Sequence, residues 1–414
     1  MTIHTDVQAA IEKDDFLPQG LIKSSGIPLF PDDNRAIVIL VSIMTMMYSL
    51  FPSKQKPDEQ EPLANGKGNA YTVTFDQLYE RFRQRLRREL GGSHRVYACV
   101  LAADTSGGHY KLTSAGRKGQ PYPPGSKLTR QGVVFQNQVS DIQMQRLMHT
   151  RSMRQDLVRL LMEMIQQDDE LASFRIICDM SATEPPVMFY DGQTTSLPRL
   201  QNKLVEDDLK IPWIAMEFSD CHIFCQSKDR DMWYLFLLHA KRFQGMVVCS
   251  FGDGRFVIID ENVRQLEQAG WTVDGFVQSV ILCGTDWFLK KCVANQLSVS
   301  VMLTAAFAVL KHGFCRNLTS RADFERFLKL AYCFKLKLGV MPASETLAKT
   351  CREQDYQRYR LHWPDDKVLE AGFKRFMWNV NYWTTLDGIL DNRVDDWIST
   401  WQHKDGVCLC HLAF

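Results

Sequence analysis

The longest uncharged apolar run, AIVILVSIMTMMYSLF (36–51), constrains this chain more than any other stretch. It is shorter than the roughly 18 residues expected of a membrane span. It therefore reads as a buried strand running into a buried helix. A chain of 414 residues is long enough to bury it, as one large domain or a core with a substantial extension. An apolar share of 45% and a charged share of 23% belong to a folded protein. A net charge of +1 excludes a globally basic nucleic-acid binder and leaves local patches open. Twelve cysteines are scattered without a framework or a signal peptide. That pattern leads us to expect a reducing, intracellular setting, cytoplasmic or nuclear, with no membrane partner.

Residues 1–35 read as an irregular or loosely helical lead-in, and the Pro- and Gly-rich 52–70 as an exposed loop. FDQLYERFRQRLRREL after Thr74 has helical apolar spacing and stops at Gly91 and Gly92. HRVYACVLAAD (94–104) reads as a buried strand that delivers Asp104, and a second helical region is expected from about Asp141 to Gln167. FRIICDMS (174–181) and CHIFCQS (221–227) read as strands, and GMVVCSFGDGRFVIIDEN (245–262) as a hairpin. Strands separated by helices predict an α/β fold with a mostly parallel central sheet and helices on both faces. Beyond Asp286 the pattern turns helical down to a Trp-rich end. A boundary near 290 is expected, dividing 1–290 from a helical extension over 291–414.

Carboxylates recur where strands are expected to end. Asp104 follows VLAA, Asp229 and Asp231 follow IFCQSK, and Asp286 closes SVILCGTD. VEDDLKIPW places Glu206, Asp207 and Asp208 at a helix start, and Asp229 lies 21 residues after Asp208, room for one helix and a return strand. Clustered carboxylates raise one another's pKa unless a cation sits among them, so the set points to hard divalent ions. Each acid alone has a plainer reading, Asp229 as a helix cap and Glu206–Asp208 as a solvated acidic helix start.

In this order, ILCGTDWFLKKC, SKDRD, VEDD and VLAADTSGGHYKLTSAGRKG resemble the acidic elements of the flap-endonuclease/XPG and XRN-type 5′ nucleases. The resemblance covers about residues 36–292. It implies a PIN/flap-endonuclease-like core and metal-dependent hydrolysis of phosphodiester bonds in RNA or DNA. It implies further that Asp104, Glu206, Asp208, Asp229, Asp231 and Asp286 ligate two Mg²⁺ or Mn²⁺ ions. The family also places an aspartate at the end of its first strand, where Leu40 or Val41 stands here. Viral nucleases and inactive scaffolds belong to the same family, so an inactive nucleic-acid- or protein-binding member is the alternative expectation.

Lysines and arginines crowd the segment 111–167, the expected clamp over a nucleic acid. Arg117, Lys118, Lys127 and Arg130 are the candidate phosphate contacts. The arginines of 81–88 are flanked by Glu80 and Glu89, which dilute their charge, and read as a solvated face. Two other chemistries compete. His239, Asp260 and Cys283 follow the order of a Cys-His-Asp hydrolase, with Cys283-Gly284 opening a helix. CHIFC and CLCH hold zinc-type ligands but no second pair at the usual spacing. Trp233, Trp287 and the C-terminal tryptophans read as packing residues.

Overall fold

A computed structural model of the chain describes residues 30–50, 72–91, 95–103, 122–140, 142–143, 146–147, 151–181, 183–204, 206–227, 229–252, 254–284, 297–306, 309–310, 318–336, 338, 343–347, 349, 363–364, 366–386, 401–404 and 407–410. The apolar run resolves into β1 (Ile37–Ser42) and α1 (Ile43–Leu50). Side chains alternate across a strand, and both faces of β1 are covered. Val38 and Leu40 join one core while Ile37, Ile39 and Val41 join the other. That is why the run is continuously apolar.

After β2 (Thr72–Val73) comes α2 (Phe75–Leu90). Thr74 and Gln77 cap it reciprocally, and Phe75, Leu78, Tyr79, Phe82, Leu86 and Leu90 are buried at the expected spacing. Its arginines meet acids: Arg85 reaches Glu89 at 2.8 Å and Arg83 reaches Glu170 at 3.3 Å. The solvated-face reading of this helix therefore agrees with its ion pairs. β3 (Val96–Ala102) follows, buried from Ala98 onward.

The expected helix from Asp141 begins later. Residues 127–140 form a small antiparallel sheet of β4 (Lys127–Thr129), β5 (Gly132–Phe135) and β6 (Gln138–Ser140). The two-residue strand β7 (Ile142–Gln143) pairs with β2. Helix α3 spans Arg151–Gln166. The alternating apolar residues of TRQGVVFQNQV belong to a hairpin whose turn takes Gln136 and Asn137 to positive φ.

β8 (Ile176–Asp179) continues into an antiparallel hairpin of β9 (Val187–Tyr190) and β10 (Gln193–Ser196). Next come α4 (Asp207–Glu217), β11 (His222–Gln226), α5 (Arg230–Leu238), β12 (Val247–Gly252) and β13 (Arg255–Ile258). The expected 245–262 hairpin is present but ends at Ile258, where α6 (Ile259–Gln268) begins. SVILC was read as a strand; it is the last part of α7 (Val273–Cys283), which Thr272 caps through Gly275. Short apolar runs carry no period of their own, and the surrounding helix decided this one. α8 (Val299–Ala306), α9 (Arg321–Leu336) and α10 (Asp366–Thr385) follow. The region expected to be wholly helical ends instead with a strand pair, β14 (Trp401–Lys404) and β15 (Val407–Cys410).

The main sheet runs β10-β9-β8-β3-β1-β11-β12-β13, and its five central strands are parallel. The architecture is α/β, a mostly parallel sheet flanked by helices. One core packs residues of α1, α2 and α3 on one face. The other takes α4, α5 and α7 together with α8, α9 and α10, so residues on both sides of position 290 share it. Trp233 and Trp383 lie buried in that core, with Trp363 and Trp378 packed against it. Gly245, ahead of β12, lies so close to Cys221 that an added Cβ would fall 1.9 Å from its carbonyl oxygen. No described helix is long and apolar enough to cross a membrane.

Candidate functional site

Parallel strands share a carboxyl edge, and the ligand crevice of such a sheet lies where the strand order reverses. Here the chain builds outward from β1 to β3 and β8, then crosses to β11 on the other side of β1. The crevice therefore lies outside the ends of β1 and β11. Ser42 ends β1, Ala103 follows β3, Asp179 ends β8 and Ser227 follows β11.

The amino end of α4 is fixed at this edge by its own side chains. Glu206 is the N-cap residue, with no capping bond from its side chain, and Asp207 and Asp208 form the first turn. The three are 2%, 4% and 5% exposed, so they are not a solvated helix start. The Ser42 hydroxyl donates to Asp207 Oδ2, which joins the end of β1 to α4. Leu40 and Val41 face the two cores, so Ser42, not either of them, holds the strand-end position. Pro212 inside α4 has no N–H for the Asp208 carbonyl one turn back.

Lys210, one turn along, is fully buried and pairs with the equally buried Asp179 at 3.2 Å. Its Nζ also donates to the Ala103 carbonyl at 3.3 Å. Asn202 Nδ2 donates to the other Asp179 oxygen at 2.8 Å. One network thus ties together the ends of β3 and β8, the loop before α4 and the first turns of α4. The sequence reading missed it. IICD ends on a carboxylate as VLAAD does, and Lys210 is a lone cation within an apolar stretch; those were the available signals.

Asp229 is the N-cap of α5, and its Oδ1 accepts from the Asp231 backbone at 2.9 Å. Its own N–H donates to Ser227 Oγ at 3.1 Å. The capping role is therefore present, on a residue at the same edge. Burial, then the Asp231 carboxylate, pushes the Tyr234 phenol up, with Cys283 and Asp229 adding to it. Tyr234 also meets Phe276 of α7 edge-on, with ring centres 6.1 Å apart, so α5 and α7 pack together.

Asp104, Arg117, Lys118 and Asp286 lie outside the described residues. Lys127 is exposed on β4, and Arg130 is engaged by Gln167 at 3.2 Å and by the Met164 sulfur. Among the described residues, no three His, Cys, Asp or Glu side chains come together as a metal ion would require. Glu206, Asp208, Asp229 and Asp231 thus do not make a complete ligand set by themselves. The expected set needs Asp104 and Asp286.

The rival chemistries fare differently. Cys283 ends a helix, so it has no helix N-terminus to stabilise a thiolate, and it is not the buried strand residue that the nuclease reading expected. His239 is buried, with Nε2 bonded to the Trp383 carbonyl at 2.9 Å. Desolvation holds its pKa below the usual value. Between that lowered value and about 6.5 the unfolded chain binds a proton that the folded chain refuses. Stability is therefore complete above about 6.5 and falls as the pH drops through it. Urea melts at stepped pH should show this slope, and His239→Gln should flatten it. Of the zinc candidates, Cys225 is buried opposite Cys249 on β12.

Neither a known protein-family model nor a curated protein sequence matches this chain.

Proposed function

We propose that the chain is a divergent nuclease of the flap-endonuclease/XPG and XRN type, hydrolysing phosphodiester bonds of RNA or DNA with Mg²⁺ or Mn²⁺. The observation that carries this reading is the burial of three consecutive carboxylates at the crevice between β1 and β11. Burying adjacent acids is costly, and a site that handles phosphate through a cation gives that cost a use. Glu206, Asp208, Asp229 and Asp231, with Asp104 and Asp286, would hold the metal. An ion held there would supply an activated water and offset charge on the leaving oxygen.

The chain's own residues position these acids. The Lys210–Asp179 pair fixes the first turn of α4 against β3 and β8, and Ser42 orients Asp207. Asp229 holds the first turn of α5 through the Asp231 amide. A second reading, nucleic-acid binding without cleavage, is favoured by the serine at the end of β1 and by the capping bond that Asp229 already makes.

End-labelled single-stranded and flap substrates with Mg²⁺ or Mn²⁺ test both readings. The Asp229→Asn/Asp231→Asn variant should cleave at least about 100-fold more slowly, the scale of losing transition-state charge stabilisation. Asparagine caps helices as well as aspartate does, so the fold should hold. Cleavage without metal, or cleavage insensitive to the variant, would sink the proposal. Binding without cleavage in either metal would establish the second reading.

A further inference from the structure

Toward the amino-terminal edge of the sheet lies a row of rings and guanidinium groups that the proposed hydrolysis does not use, which Arg199 reaches from the loop after β10. Arg175 precedes β8, Tyr190 ends the antiparallel β9 beside it, and Tyr97 lies at the start of β3. The Arg175 guanidinium is 4.4 Å from the Tyr190 ring centre and 4.9 Å from that of Tyr97. Tyr97 lies 6.4 Å from Phe218 at the end of α4, and Arg199 covers Phe218 at 5.7 Å. The result is one row in the order Tyr190, Arg175, Tyr97, Phe218 and Arg199.

Two properties set this row apart from ordinary packing. Tyr97 and Tyr190 are 41% and 36% exposed, and Val139 is the one other large apolar side chain exposed among the described residues. Neither Arg175 nor Arg199 forms an ion pair among the described residues, whereas Arg83, Arg87 and Arg159 do. A guanidinium lying on a ring keeps its in-plane N–H donors free to point outward. Phosphate oxygens fit those donors, and unstacked bases fit the outer ring faces.

We propose that this row binds single-stranded nucleic acid, with bases on Tyr97 and Tyr190 and phosphates on Arg175 and Arg199. A duplex keeps its bases stacked and would not satisfy the rings. The inference goes beyond the proposed hydrolysis, because binding here needs neither metal nor the acids. With two arginines the salt dependence should be shallow, a log–log slope of about −1.4 for two phosphates on a single strand.

Fluorescence anisotropy of the full chain, in EDTA, with labelled oligo-dT and oligo-rU of about 20 nucleotides tests this. Tyr190→Ala should weaken binding about 10-fold, and Tyr190→Phe should restore it, since stacking needs the ring and not the hydroxyl. Arg199→Ala should reduce the slope by about 0.7. Both positions are exposed, so a matching melting temperature will show that the variants fold. Absence of binding would overturn the proposal, as would wild-type affinity in both Tyr190→Ala and Arg199→Ala. Duplex bound as tightly as single strand would overturn it too. EDTA removes catalysis from the readout, so failure of the hydrolysis proposal leaves this result legible.

Discussion

Replacing Lys210 with methionine should destabilise the fold by about 3–5 kcal/mol, because it strands the buried Asp179 carboxylate without its cation. Asp179 is fully buried, and Asn202 alone cannot balance its charge. Urea unfolding, followed by circular dichroism, should show a lower midpoint at an unchanged slope. The double variant Lys210→Met/Asp179→Leu should recover most of the loss, since a matched apolar pair of similar volume is often as stable as a buried ion pair. A single variant as stable as the wild type would mean that the pair is not the brace described. The same brace lies against Ala103, so its loss should also loosen the carboxyl edge of the sheet.

The parts of this fold that could be read from the sequence are those with a clear period or an explicit stop. The helix 75–90 declared itself through six apolar positions and Thr74, and β1 through a run too short for a membrane. The α/β pattern followed from their alternation. What stayed hidden depends on contacts between distant residues. Nothing local marks Lys210 as the partner of Asp179, 31 residues earlier. Nor does anything in SVILC itself distinguish a strand from the end of a helix. Asp104, Asp229, Asp231 and Asp286 could be singled out because each lies just beyond an apolar segment, and Glu206 and Asp208 because they open a helix, yet the burial of Glu206 and Asp208 was not legible. Acids at a helix start are usually solvated, and only the placement of α4 against β1 and β3 excludes water here. The reverse held for Asp229, whose plain role as a cap could be read directly and is present.

The second large effect concerns Glu206 and Asp208. The Glu206→Gln/Asp208→Asn variant should lose cleavage by about 100-fold or more and yet be more stable by roughly 0.5–2 kcal/mol. Neighbouring buried carboxylates repel one another, and removing two charges relieves that repulsion without changing shape. Gain of stability with loss of activity is the signature of acids kept for chemistry. A fall in both would instead assign them to the fold alone. Parallel measurements of melting temperature and initial cleavage rate separate the two cases.

The proposed divalent-cation site comprises the buried acids of the crevice together with Asp104 and Asp286. Electron paramagnetic resonance of Mn²⁺ tests it without any assumption about substrate. Titrating Mn²⁺ into the wild-type chain should suppress the free-ion signal until the site is full, and Mg²⁺ should restore that signal by competition. The Glu206→Gln/Asp208→Asn variant should leave the signal close to that of Mn²⁺ in buffer. A wild-type chain that leaves free Mn²⁺ undiminished, or a variant that binds it equally well, would contradict the account.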